Sequence, residues 1–215
     1  EALRQVPGGD LGLLHGCCHN PTGADLTNEQ WDSIADLALE RGFIPFIDTA
    51  YQGLGNGLDE DAYGMRMMAE RLPEVIIASS CSKNFGLYRE RTGSITFIAE
   101  TSEQAVIVVS QALSTARSIY SMPPAHGALL VSMVLGDPQL RSQWEAELEE
   151  VRLRIKSMRN LLCDSLENNA AGMDFSHIKR QNGMFSFLGI TTPQLERLRT
   201  EFGIYIVSST RINLA

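Results

Sequence analysis

The chain has 215 residues and 44% of them are hydrophobic, enough for one substantial core with room for a second, smaller domain. Its formal net charge is −8, and no cluster of lysine and arginine interleaved with aromatics offers the phosphate-neutralising patch that nucleic acid requires. No apolar stretch is long enough to span a bilayer and no signal-peptide pattern is present, so neither a membrane nor nucleic acid is an expected partner and a cytoplasmic protein is.

From residue 11 onward the sequence alternates strand and helix. Residues 11–14 form an apolar run ending in His15-Gly16-Cys17-Cys18-His19-Asn20-Pro21-Thr22-Gly23. Thr27 and Gln30 match a capping box, Trp31, Ile34, Ala35 and Ala38 follow at helical spacing, and Gly42 stands where a C-terminal glycine cap belongs. Residues 43–47 read as a second strand, running into Asp48-Thr49-Ala50-Tyr51. A helix through Met65, Met68, Ala69 and Leu72 leads to the apolar run 75–78, and residues 93–99 read as another buried strand. Such a βαβ series predicts an α/β fold with a largely parallel sheet.

Thr101 and Gln104 open a further capped helix, and Asp137-Pro138 starts a long polar one whose apolar stripe is Trp144, Leu148, Val151, Ile155 and Met158. Residues 184–188 and 204–207 read as strands flanking a short helix entered at Thr192-Pro193. A domain boundary is expected near residue 148, giving domains 1–148 and 149–215.

Four cysteines form no C-x-x-C pair, which suits a reduced compartment, and the cluster 15–19 has no second ligand pair at finger-like spacing. No metal is expected. Gly53-Leu54-Gly55-Asn56-Gly57 resembles a dinucleotide loop but carries Leu58 where the third glycine of the fingerprint should stand.

The chemistry concentrates at strand ends. Ser80-Cys81-Ser82-Lys83 follows the run 75–78, so the sequence delivers a lysine to the end of a buried strand, where desolvation favours a neutral, nucleophilic amine. Asn20, Asp48 with Tyr51, and Lys83 should all emerge at the carboxyl edge of one parallel sheet, where open α/β sheets bind ligands. Ser80-x-x-Lys83 also fits the S-x-x-K of penicillin-recognising enzymes, but no S-D-N occurs and Arg91-Thr92-Gly93 follows too soon for their distant K-T-G.

Taken together, His19-Asn20-Pro21-Thr22-Gly23, Asp48-Thr49-Ala50-Tyr51, Ser80-Cys81-Ser82-Lys83-Asn84 with Arg91, Arg117-Ser118-Ile119-Tyr120 with Pro123-Pro124, and Arg211-Ile212-Asn213 resemble the class I aminotransferases. They run in family order over nearly the whole chain. The resemblance implies the fold-type-I architecture of enzymes dependent on pyridoxal 5'-phosphate: the carboxyl-side part of the large domain followed by part of the small α+β domain.

It also implies roles. Lys83 would form the Schiff base with the cofactor and shuttle the proton. Asp48 would hold the pyridine nitrogen protonated, Tyr51 and Asn20 would bond the ring oxygen, and Ser80 and Arg91 would bind the phosphate. Arg211 would clamp the substrate α-carboxylate, while Arg117 would reach across a homodimer interface to a side-chain carboxylate. The implied substrates are amino acids and 2-oxo acids: aspartate, aromatic amino acids or both, with 2-oxoglutarate as acceptor. Elimination, decarboxylation, or a non-catalytic effector or interaction module use similar cofactor contacts and stay open. His15 could support Asp48 or be a satisfied core histidine. The family's phosphate-loop glycines and ring-stacking aromatic precede these motifs and are not in the sequence, so the chain is expected to be part of a longer enzyme, not competent alone.

Overall fold

The computed structural model describes residues 1–169 and 172–215. Its central sheet has the order β1(Leu11–His15)-β2(Ile44–Thr49)-β3(Val75–Ser80)-β4(Gly93–Ile98). The first three strands are parallel and β4 is antiparallel to β3. Helices α1(Asn28–Arg41) and α2(Tyr63–Arg71) make the crossovers that parallel strands demand.

Each local signal has a physical counterpart. The Thr27 hydroxyl accepts a hydrogen bond from the Gln30 amide at 3.3 Å while Gln30 Oε1 accepts one from the Thr27 amide at 2.9 Å, and Gly42 closes α1 in the left-handed conformation. Trp31, Ala35 and Ala38 of α1 and Met68 of α2 bury against Phe43, Ile47, Val75 and Ile77, which makes one closed face of the sheet. On the other face Leu11 and Leu13 are more than half exposed.

The expectation that residues 93–99 form a buried strand needs correction, because Gly93–Thr96 of β4 are exposed. β4 is the sheet's outer strand, with no further strand beside it among the described residues.

Next come α3(Ser102–Tyr120), capped by Thr101 and Gln104, and α4(His126–Gly136). Both are apolar yet barely covered: no residue of α3 and only Gly127 of α4 is buried. The Asp137 carboxylate then accepts from the amides of Gln139 and Leu140 and starts α5(Pro138–Asn169), 32 residues long. Its buried positions are Leu148, Ile155, Arg159 and Cys163, whereas Val151 of the expected stripe is exposed. The expected division at residue 148 falls inside this one helix.

Beyond α5, α6(Ser176–Arg180) precedes β5(Phe185–Phe187), α7(Thr192–Phe202) and β6(Arg211–Asn213). β5 and β6 pair antiparallel. The strand expected at 204–207 is not there: Ile204, Tyr205 and Val207 are exposed, and the Thr210 amide closes a turn onto the Val207 carbonyl. An apolar run without a ladder partner gains nothing by extending, and pairing begins only at Arg211.

Candidate functional site at the carboxyl edge of the sheet

Register decides what meets at the sheet edge. β1 and β2 pair His15 with Asp48, and β2 and β3 pair Asp48 with Ala78, so the three loops that follow leave from nearly one level. Three of the expected residues converge there with Arg211. The Asn20 amide nitrogen donates to the Tyr51 hydroxyl at 3.3 Å, and Arg211 Nη1 donates to Asn20 Oδ1, also at 3.3 Å. Lys83 Nζ stands over the Tyr51 ring, 4.6 Å from its centre. Asp48 lies beside them on β2, near enough for its charge to act on the Tyr51 phenol.

Tyr51 is buried, and desolvation pushes its phenol above the usual range; Asn20's hydrogen bond acts the other way and Asp48 adds to the rise. The His15 and His19 rings lie 4.3 Å apart, tilted by 32°. Burial holds the His19 imidazole below its ordinary value, with His15 contributing and Asp25 opposing.

Ser80 ends β3, and its hydroxyl accepts from the Ser82 amide at 3.2 Å. It borders a cavity of about 520 Å³ shared with Asn84, Ser132 and Trp144, which includes none of Asn20, Tyr51, Lys83 or Arg211. The loop from Lys83 does return to the same edge, because the Cys81 amide bonds the Thr92 carbonyl at 3.0 Å and Gly93 pairs with Ser80. Arg91 sits on that return, exposed, at φ 52°, with Nη1 on the Tyr88 carbonyl and no ion pair among the described residues. Arg117 is not brought into the cluster; it is exposed in the last turn of α3.

Several participants escaped the sequence reading. Phe185 seats Arg211, whose guanidinium carbon is 4.7 Å from the ring centre, and meets Tyr51 edge-on at 6.4 Å. Trp144 stacks on Phe85 at 4.4 Å and donates to the Asn84 carbonyl at 2.7 Å, steadying the loop after Lys83. Asp61 accepts from the amides of Gly53, Gly55 and Asn56 at 2.8 to 2.9 Å, so the glycine loop already cradles an anion of its own. Burial raises the Asp61 carboxyl pKa against these bonds. Arg159 was legible in principle, since it falls on the spacing Ile155, Arg159, Cys163 that buries α5.

Cys17 and Cys18 pack with Tyr51, Leu54, Leu148 and Ile155. Their sulfurs and an Asp61 oxygen lie within 4.8 Å of one another, but that carboxylate is already engaged by three amides.

The family model for aminotransferase class I and II matches residues 1–215. The chain belongs to this family. Among aminotransferases it is 54% identical over 215 residues to an aspartate aminotransferase of Haemophilus influenzae, covering all of this chain and 54% of that protein. To an aromatic-amino-acid aminotransferase of Pseudomonas aeruginosa it is 46% identical over 213 residues, covering 99% of this chain and 53% of that one. An aromatic-amino-acid aminotransferase from Burkholderia pseudomallei, solved covalently bound to pyridoxal phosphate, superposes with a TM-score of 0.96 at 44% identity, covering 99% of this chain and 53% of the other. These neighbours make the fold that of the pyridoxal-phosphate-dependent fold-type-I enzymes. The chain spans about half the length of the relatives it matches.

Proposed function

We propose that the complete enzyme to which this chain belongs transfers amino groups from aspartate, aromatic amino acids or both to 2-oxoglutarate, with pyridoxal phosphate at the edge formed by Asn20, Asp48, Tyr51, Ser80, Lys83 and Arg91. The observation that carries this reading is the contact chain Lys83 to Tyr51 to Asn20 to Arg211, which joins an amine, a phenol-amide pair and a guanidinium at one strand edge. That donor set fits the cofactor. It offers an amine for the aldehyde, a carboxylate for the ring nitrogen, a phenol and an amide for the ring oxygen, and a hydroxyl with a guanidinium for the phosphate. The membership of relatives bearing both aspartate and aromatic names supports the substrate class.

Bound there, pyridoxal phosphate supplies an electron sink for charge developing at the substrate α-carbon. Asp48 holds a proton at the ring nitrogen through its negative charge. Tyr51 and Asn20 fix the ring oxygen. Lys83 Nζ carries the proton taken from the α-carbon, and Arg211 grips the α-carboxylate with its fork so that the α-hydrogen faces that nitrogen. Ser80 and Arg91 anchor the phosphate, Arg91 by swinging from the Tyr88 carbonyl. Arg117, remote from this cluster, serves the partner subunit's site in a homodimer and reads a side-chain carboxylate. A cytoplasmic location and a division into parts 1–148 and 149–215 belong to the same reading; no helix among the described residues is long and apolar enough to cross a membrane.

The test is an absorption spectrum of the complete protein with pyridoxal phosphate, followed by an amino-donor screen with 2-oxoglutarate. A visible cofactor band and glutamate formed from aspartate or phenylalanine are expected. Release of ammonia or carbon dioxide without glutamate would make it an eliminating or decarboxylating enzyme instead, and absence of the band would remove the reading.

A further inference from the structure

Among the described residues Arg159 is the largest fully buried side chain, 1% exposed, and it enters no ion pair. Its partners are carbonyls. Nε donates to Gly183 O at 2.8 Å, Nη1 to Ile178 O at 2.9 Å, and Nη2 to Asn182 O at 2.9 Å and to Phe185 O. Burying an unpaired guanidinium is expensive, and an apolar residue on this stripe of α5 would serve stability at least as well. What an apolar residue could not do is tie four backbone carbonyls to one side chain, which the guanidinium fork does.

The segment so fixed is joined to both sides of the site. The Asn182 amide donates to Gly23 O at 2.8 Å, and the Asn182 side chain donates to Asp25 Oδ2 at 3.3 Å. The backbones touch so closely that neither glycine at the junction could carry a side chain: a Cβ on Gly23 (φ 72°) would lie 2.8 Å from Phe185 O, and one on Gly183 (φ 77°) would lie 2.5 Å from Cys18 Cβ. Residues 182–185 therefore cannot shift without moving the loop that carries Asn20. At the far end of the segment, Phe185 seats Arg211.

We propose that Arg159 is a positioning residue for substrate binding: by holding residues 182–185 it sets Phe185 beneath Arg211 and keeps Arg211 in reach of Asn20. It touches no reacting atom. The inference rests on the reading of Arg211 as the α-carboxylate clamp.

In the complete enzyme loaded with pyridoxal phosphate, Arg159→Lys keeps the charge and stem but offers three donors from one point where the guanidinium reaches four carbonyls. KM should rise about ten- to a hundredfold, the loss that follows when a charge-assisted hydrogen bond to a carboxylate is misaligned. The rise should be the same for aspartate and phenylalanine, because every donor has the α-carboxylate. The Kd of maleate, a dicarboxylate that cannot react, should rise with it, while the cofactor band stays in place. A variant with lowered Tm but KM and maleate Kd within about twofold of the parent would make Arg159 merely structural and overturn the proposal. If Arg159→Lys is insoluble, Phe185→Leu removes the ring that seats Arg211 with Arg159 intact; it should show the same KM signature, and an unchanged KM would equally overturn the proposal. Failure of the underlying reading would show separately, as an Arg211→Ala enzyme that keeps the parent KM for every donor.

Discussion

The parallel strands and the two-stranded β5–β6 sheet place their functional groups by different means. At the sheet, Asn20, Tyr51 and Lys83 each follow a strand of five or six residues whose burial and register fix where it ends. The β5–β6 pair has three residues per strand, too few to fix anything by burial alone, and the segment leading into it is held by the Arg159 hydrogen bonds. On the proposed reading the difference separates two tasks: strand ends hold the groups that act on bonds, and the hydrogen-bonded β5–β6 pair holds the group that grips substrate. Substitutions at the parallel strands should therefore act on kcat, and those at the β5–β6 pair on KM.

The largest effect is expected at Lys83. Lys83→Ala should lower kcat by about 10⁴-fold, since both the nucleophile and the proton carrier go, with folding intact because Lys83 is only half-buried and belongs to none of the core clusters. Steady-state turnover with aspartate and phenylalanine measures it. A KM effect without a kcat effect would break the comparison at its firmest point. Asp48→Asn comes next, with a kcat loss of about 10²- to 10³-fold, the scale of losing one preorganised electrostatic partner. Near-normal turnover would reduce Asp48 to a strand-end residue.

Arg211→Ala sharpens the contrast. Loss of a charge-assisted hydrogen bond, about 1.5 to 3 kcal/mol, should lower kcat/KM for every amino donor, chiefly through KM. Arg117→Ala should instead weaken aspartate and glutamate far more than phenylalanine. Equal losses for acidic and aromatic donors in the Arg117 variant would remove its assigned role, and a kcat collapse in the Arg211 variant would merge the two regions.

How much of this was legible follows the same divide. The capping boxes at Thr27 and Thr101, the glycine cap at Gly42 and the strand before Lys83 are signals within a few residues of one another, and each holds in the structure. The buried place of Arg159 follows the α5 stripe, but its carbonyl partners, and Phe185 under Arg211, depend on contacts between residues distant along the chain, for which no local pattern exists. The 204–207 run misled because apolar, β-branched composition reports only a tendency to extend, while pairing was decided by the turn at Val207–Thr210. Exposure of β4 and α3 was illegible for a related reason: an apolar sequence says that something covers it, not that the cover lies within these 215 residues.

The smallest expected effect lies at His19, whose ring is 4.3 Å from that of His15. Burial, with His15 second, lowers its pKa below the ordinary imidazole value. Over the window beneath that value the unfolded chain binds the proton more readily, so the stability contributed by neutral His19 is complete above about pH 6.5 and is lost as pH falls. An NMR titration should place His19 below the ordinary value, and His15→Gln should move it back upward. No movement would mean that burial alone sets it.

The central claim is that Lys83 is the residue joined to the cofactor. Borohydride reduction of the complete, pyridoxal-phosphate-loaded protein, followed by peptide mapping, should find the label on the peptide carrying Ser80-Cys81-Ser82-Lys83 and nowhere else. Label on Lys156 or Lys179, with Lys83 unmodified, would contradict the account.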